Sequence, residues 1–267
     1  MITPIIDWIF IGAIQGITEW LPISSKTAIM LYAIRVMGVD LPTAYLIALF
    51  MQGSTALAGI IFLKNDYLMS VKAMLGNRTE EGIRKAKFIV ISLVITGVVG
   101  IPLMLLVETV TVDIAILLYL TSLAFLVVAG VDYYRKSLGD RAATSVTTLD
   151  SIVVGVHQGI AALPGLSRSA ITTLGLLFRG FKTDESLRLS FLTGVPATIG
   201  ATLISLVSTF WGVPFSLEIE GILVAWATGI VVGFLCMRAL VNFSAKMRVW
   251  QLSLIMGAIT LGSALLN

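Results

Sequence analysis

The segment DWIFIGAIQGI at residues 7–17 returns at residues 150–160 as DSIVVGVHQGI. Six of the eleven positions are identical at an offset of 143: Asp, Ile, Gly, Gln, Gly and Ile. Each copy runs into a Pro- and Ser-bearing break and then a second apolar arm. After a one-residue slip, LPISSKTA at 21–28 matches LPGLSRSA at 163–170. The residues most alike are polar or helix-breaking, the kinds that hydrocarbon tolerates worst. A sequence repeated in this way signals a duplicated architecture.

The surrounding composition says where that architecture sits. Of 267 residues, 57% are hydrophobic and 12% charged, with a mean hydropathy of +0.99. A soluble domain carries about 25% charged residues, so the chain reads as an all-α polytopic membrane protein whose partner is the bilayer, with no nucleic acid. The single cysteine, Cys236, excludes an intrachain disulfide and most thiolate metal sites. The first twenty residues hold Asp7 and no Lys or Arg, which is unlike a cleaved signal peptide.

A spanning helix needs roughly 20 apolar residues. Six stretches approach or meet this: 42–63, 88–107, 114–131, 189–212, 221–240 and 249–266. Pro102 and Pro196 fall inside two of them, where a helix is prone to kink. The remaining apolar arms, 4–20 with 27–37 and 150–163 with 169–178, are short or interrupted. They read as two helix-break-helix hairpins, 4–37 and 150–178, each entering and leaving by one face. On that reading the loops at 64–87, 132–149, 179–188 and 238–248 share a side. They hold 15 of the 18 Lys and Arg residues, while Glu108, Asp113, Glu218 and Glu220 face the other way. The positive-inside rule places the basic side in the cytoplasm and both termini outside the plasma membrane. Each half, about 1–131 and 150–267, then holds a re-entrant hairpin and three spans. Three crossings invert the second copy, giving a single membrane domain built as an inverted-topology repeat.

The hairpin tips concentrate the groups that need an explanation. Glu19, Lys26 and Arg168 are charges at membrane depth, surrounded by Ser24, Ser25, Thr27, Ser167, Ser169, Thr172 and Thr173. Each tip opens a helix, expected near Thr27 and Ser169, and helix N-termini suit phosphate. Arg168 adds a planar fork matched to phosphate oxygens. Other readings stay open: Thr172 and Thr173 also suit helix packing, Ser24 a helix cap, Gln15 and Gln158 the satisfaction of broken backbone, and Asp7 and Asp150 interfacial N-caps. Gln15 and Glu19, four apart, share a helix face.

EWLPISS followed by PGLSRS in a repeat of this kind resembles the undecaprenyl-diphosphate phosphatase family of the BacA/UppP type, over nearly the whole chain. The family's first motif carries two acidic or amide residues four apart, then Ser-Ser and a histidine. Here those positions are Gln15, Glu19, Ser24 and Ser25, and the histidine position is Ala28. Arg168 matches the family arginine, with Ser167 and Ser169 beside it, and Ala170 stands where the family usually has glycine. The resemblance implies hydrolysis of the terminal phosphate of an isoprenoid diphosphate on the outer membrane face, aided by Mg2+ or Ca2+. It implies Ser25 as nucleophile and Glu19 as cation ligand or base. Arg168, Lys26 and the tip residues Ser24, Thr27, Ser167 and Ser169 would bind phosphate. The lone histidine, His157, is a candidate replacement base, with Gln15 and Gln158 in support. The alternative is a flippase or transporter of a polyprenyl phosphate, which the inverted repeat also suits.

Overall fold

The structure is a computed structural model describing residues 4–107, 114–135, 139–163, 166–210 and 219–265. Pro164 and Gly165 of the second break, and Glu108, Asp113, Lys136 and Glu218 of the charge pattern, lie outside the described residues. Among those described, the regular elements are helical: α1 (Ile5–Thr18), α2 (Ser25–Arg35), α3 (Leu41–Phe62), α4 (Lys64–Met74), α5 (Glu80–Val107), α6 (Ile114–Arg135), α7 (Thr148–Ile160), α8 (Arg168–Phe178), α9 (Thr183–Phe210), α10 (Ile219–Ser244) and α11 (Val249–Leu265).

Four helical stretches are long and apolar enough to cross a membrane: Leu41–Phe62, Glu80–Leu103, Thr183–Val207 and Ile219–Ser244. The apolar stretches Leu118–Tyr134 and Val249–Leu265 are shorter. Helices α5 and α9 run without interruption through Pro102 and Pro196. They also begin well before their apolar runs. Glu80 and Glu81 in the first turn of α5, and Asp184 and Glu185 in that of α9, favour a helix N-terminus. The polar stretch 64–87, expected to be a loop, contains α4. Its Asp66, Ser70 and Ala73 lie at helical spacing and are buried. At 1.5 Å per residue, α1 is about 21 Å long and α2 about 17 Å, each short of a hydrocarbon core of about 30 Å.

The chain forms two compact units. The first joins Met1–Phe62 to Val195–Arg238. Its core gathers Trp8, Ile11, Ile29, Ala33, Ile47 and Met51. Lipid tails are as apolar as leucine, so helices associate in membranes by close fit rather than by hydrophobic burial. Two glycines provide that fit for α1. A Cβ at Gly12 would fall 2.3 Å from the Ala225 carbonyl oxygen of α10, and one at Gly16 would fall 2.7 Å from the Gly233 nitrogen. The arms α1 and α2 are pinned together where the Tyr32 hydroxyl donates to Asp7 at 2.8 Å. Asp7 is therefore a brace and not the expected N-cap, since α1 already starts at Ile5.

The second unit joins Leu63–Gly194 to Ala239–Asn267. Here α7 packs along α5 and α6 along α11. The glycines equivalent to Gly12 and Gly16 again make the contact. A Cβ at Gly155 would lie 2.8 Å from Ser92 O, and one at Gly159 would lie 2.7 Å from Val99 Cβ, both on α5. Asp150 forms a capping box with Thr147 and receives Arg141 and Arg179, each at 2.6 Å. Its capping is the reciprocal kind, in which Thr147 is the N-cap and Asp150 the third helical residue. Nearby α4 is fastened by Asp66, which takes Lys85 Nζ at 2.7 Å and an Arg188 nitrogen at 2.6 Å.

Candidate functional site

In the first unit, chain direction reverses between Thr18, which ends α1, and Ser25, which opens α2. Ser24 is the N-cap of α2: its side chain accepts from the Thr27 N–H at 3.4 Å and from the Thr27 hydroxyl at 3.0 Å. With Ser24 spent on the cap, Ser25 turns its own hydroxyl back across the break and donates to Glu19 Oε2 at 2.6 Å. Gln15, one turn below Glu19 on α1, donates from Nε2 to the same carboxylate oxygen at 3.0 Å and to Thr55 Oγ1 of α3 at 2.8 Å. Thr55 in turn donates to Gln52 O at 3.0 Å. Gln15 and Thr55 are fully buried, and Glu19 and Ser25 are 7% and 8% exposed. Lys26 is half-buried in the first turn of α2. The result is a hydroxyl pointed at a carboxylate in a buried setting, an arrangement that suits activation of a serine.

The second unit repeats the frame with other side chains. Ser167 is the N-cap of α8, accepting from Ala170 N at 3.4 Å and bonded to the Ser169 hydroxyl at 3.0 Å. The two caps, Ser24 and Ser167, are 143 residues apart, as are the starts of α2 and α8. Helix register therefore keeps the offset of 143 without the one-residue slip, and both helices begin earlier than Thr27 and Ser169. By register Ser25 corresponds to Arg168. Arg168 is half-buried, and its guanidinium reaches α9, where a Cβ at Gly194 would lie 3.8 Å from Arg168 Nε. Thr172 bonds to the Arg168 carbonyl at 2.8 Å and to the Ser190 hydroxyl, and Ser190 also donates to Ser169 O at 3.3 Å. These bonds tie the first turn of α8 to α9. Gln158 donates to Thr96 Oγ1 at 3.2 Å. His157 places Nδ1 2.8 Å from Val153 O, and its ring packs against Gly175, so α7 and α8 hold the imidazole between them.

Among the described residues no three His, Cys, Asp or Glu side chains converge as a metal cluster. The Glu19 site nonetheless offers donors of the right kind for Mg2+ or Ca2+. These are hard cations that take oxygen ligands, and Mg2+ in particular binds one or two carboxylates together with substrate phosphate. Glu19 is such a carboxylate, while Gln15 turns its amide nitrogen, not its oxygen, toward it. Thr55 was not among the residues expected from sequence. The signal available was a Gln52–Ser54–Thr55 run of polar residues inside an apolar span.

A family model described as bacitracin resistance protein BacA matches residues 8–261. The undecaprenyl-diphosphatase of Saccharolobus solfataricus is 34% identical over 269 residues, covering 97% of this chain and 95% of its own. That of Pyrobaculum aerophilum is 33% identical and covers 96% of each chain. That of Haloarcula marismortui is 32% identical and covers 98% of each.

Proposed function

The chain belongs to the bacitracin resistance protein BacA family, and from that premise we propose that it is an integral-membrane phosphatase. Its substrate is an undecaprenyl-type polyprenyl diphosphate and its products are the lipid monophosphate and inorganic phosphate, which returns the lipid carrier to cell-envelope glycan synthesis. The relatives named above are diphosphatases, and none carries a transporter's name. The observation that carries the reading is the 2.6 Å hydrogen bond from Ser25 to Glu19.

In the proposed reaction Ser25 Oγ forms a bond to the terminal phosphorus and its proton passes to Glu19. The bond from phosphorus to the bridging oxygen breaks, and the lipid monophosphate leaves with that electron pair. Water then attacks the phosphoserine phosphorus, the bond from phosphorus to Ser25 Oγ breaks as Glu19 returns the proton to that oxygen, and inorganic phosphate departs with the protons of the water. Glu19 reaches the nucleophile directly, so the pair functions with Ala28 in the family's histidine position. The motif assigns Arg168 and Lys26 to charge on the phosphoryl oxygens, where an arginine is worth about 10³-fold or more in rate. Ser24, Thr27, Ser167 and Ser169 order the two helix starts, whose N–H groups favour phosphate. Glu19 would hold a divalent cation, which when bound would supply charge neutralisation for phosphate.

The same proposal includes the membrane arrangement: six spans and two re-entrant hairpins in an inverted-topology repeat, with both termini and the reacting groups toward the outside. The matched glycine pairs, the matched caps and the short hairpin helices support it. Purified protein given undecaprenyl diphosphate with Mg2+, Ca2+ or EDTA should release one phosphate for each lipid monophosphate formed. Lipid moving between the leaflets of proteoliposomes with no phosphate released would replace this reading with transport.

A further inference from the structure

We infer that Thr55 is a positioning residue for the Ser25–Glu19 pair, acting through Gln15; the inference rests on the phosphatase reading above. A threonine hydroxyl has one proton and a glutamine amide has two on nitrogen. The Thr55 proton goes to Gln52 O at 3.0 Å, so the Thr55 oxygen meets Gln15 as an acceptor only. Gln15 must then face Thr55 with its nitrogen. The second proton of that nitrogen goes to Glu19 Oε2, the oxygen that also receives Ser25. Each bond in the sequence Thr55, Gln15, Glu19, Ser25 thus has a fixed direction.

Turning the Gln15 amide over would set its carbonyl oxygen against the Thr55 oxygen and the Glu19 carboxylate. Gln15 and Thr55 are both fully buried, so no solvent would relieve that clash of acceptors. The enforced orientation has a cost visible in the structure: Gln15 Oε1 is buried with no hydrogen-bond partner. Thr55 therefore keeps Glu19 supplied with a donor on one side and poised to take the Ser25 proton on the other. Its hydrogen bonds run to Gln15 and Gln52 and not to Ser25 or Glu19.

The test compares Thr55→Val, which keeps the volume and loses the hydroxyl, with Thr55→Ser, which keeps the hydroxyl. Partners that orient a metal-site ligand typically change activity by about 10- to 100-fold, and the same scale is expected for a group that orients Glu19. Thr55→Val should lower kcat on undecaprenyl diphosphate within that range and leave KM within about twofold, and Thr55→Ser should restore most of the loss. In a Gln15→Leu chain, Thr55→Val should bring little further loss. Unchanged kcat in Thr55→Val, equal losses in the two variants, or additive losses with Gln15→Leu would each overturn the inference. Thr55→Ala replaces the valine variant if that chain does not fold. A second readout needs no lipid: the rate at which a fluorophosphonate labels Ser25, followed by mass. Labelling slowed by Thr55→Val and restored by Thr55→Ser, in a wild-type chain that releases no phosphate, would retain the positioning role and reject the phosphatase reading. Hydrolysis by the wild type, with labelling and kcat indifferent to Thr55, would do the reverse.

Discussion

The two hairpins share a frame and differ in the side chains at their tips. Gln15 and Gln158 occupy equivalent positions, and each is buried, donates to a threonine and leaves its amide oxygen without a partner. Gly12 and Gly16 match Gly155 and Gly159 in close contact with a long helix. Ser24 and Ser167 cap matching helices. Past the frame the copies part. Glu19 and Ser25 in the first correspond by register to Ala162 and Arg168 in the second. The first hairpin has a hydroxyl paired with a proton acceptor; the second has a fixed cation. A duplicated fold need not duplicate a function: the packing residues stay alike while a few tip side chains differ.

The strongest way to break this comparison is at Glu19. Glu19→Gln should lower phosphate release by about 10³-fold or more, since it removes the acceptor of the serine proton. Arg168→Ala should fall by about 10³-fold, with Arg168→Lys retaining part of the rate because charge survives and the planar fork does not. Both are read as initial rates on protein that elutes as a folded species. The glutamines sharpen the contrast. Gln15→Leu should cost about 10-fold or more in kcat, whereas Gln158→Leu, with Ala162 in the place of Glu19, should change the thermal midpoint more than the rate.

The shared frame predicts matched effects. Gly16→Ala and Gly159→Ala should each destabilise by about 1–3 kcal/mol, read as a lowered midpoint in detergent, because each new methyl meets an atom closer than contact allows. A smaller effect lies at α4. Burial alone would raise the carboxyl of Asp66, but hydrogen bonds and charge from Lys85 and Arg188 outweigh it and hold Asp66 below the usual range. A depressed carboxylate stabilises the fold above its unfolded pKa of about 4 and loses that contribution as pH falls through its folded value. The wild type should therefore lose midpoint more steeply than Asp66→Asn as pH drops from 5 toward that range. Equal slopes would remove the ion cluster from the account of stability.

Much of the fold was legible because membrane helices announce themselves by apolar length. The cores of α3, α5, α6, α9, α10 and α11 all lie within the expected stretches, and the four hairpin helices fall close to theirs. What escaped was what apolar length does not encode. Helix α4 is short and two-faced, so its mean hydropathy resembles a loop. The caps Ser24 and Ser167 shift each helix start by one or two residues, and the LPISS and LPGLS wording suggested a slip that the backbone does not keep. At the site, Ser25 and Glu19 were legible as residues, but their contact depends on how the break turns six residues back on itself. Ala28 holds the family's histidine position, and the sequence offers Glu19 or His157 as base; the contact that the backbone adds is the one between Ser25 and Glu19. Thr55 lies forty residues from Gln15, and no local spacing joins them.

The most direct measurement is phosphate release from undecaprenyl diphosphate by the wild-type chain and by Ser25→Ala, side by side in the same detergent. The account predicts release by the wild type and a loss of about 10³-fold or more in the variant, with the variant still folded. Release undiminished in Ser25→Ala would contradict it.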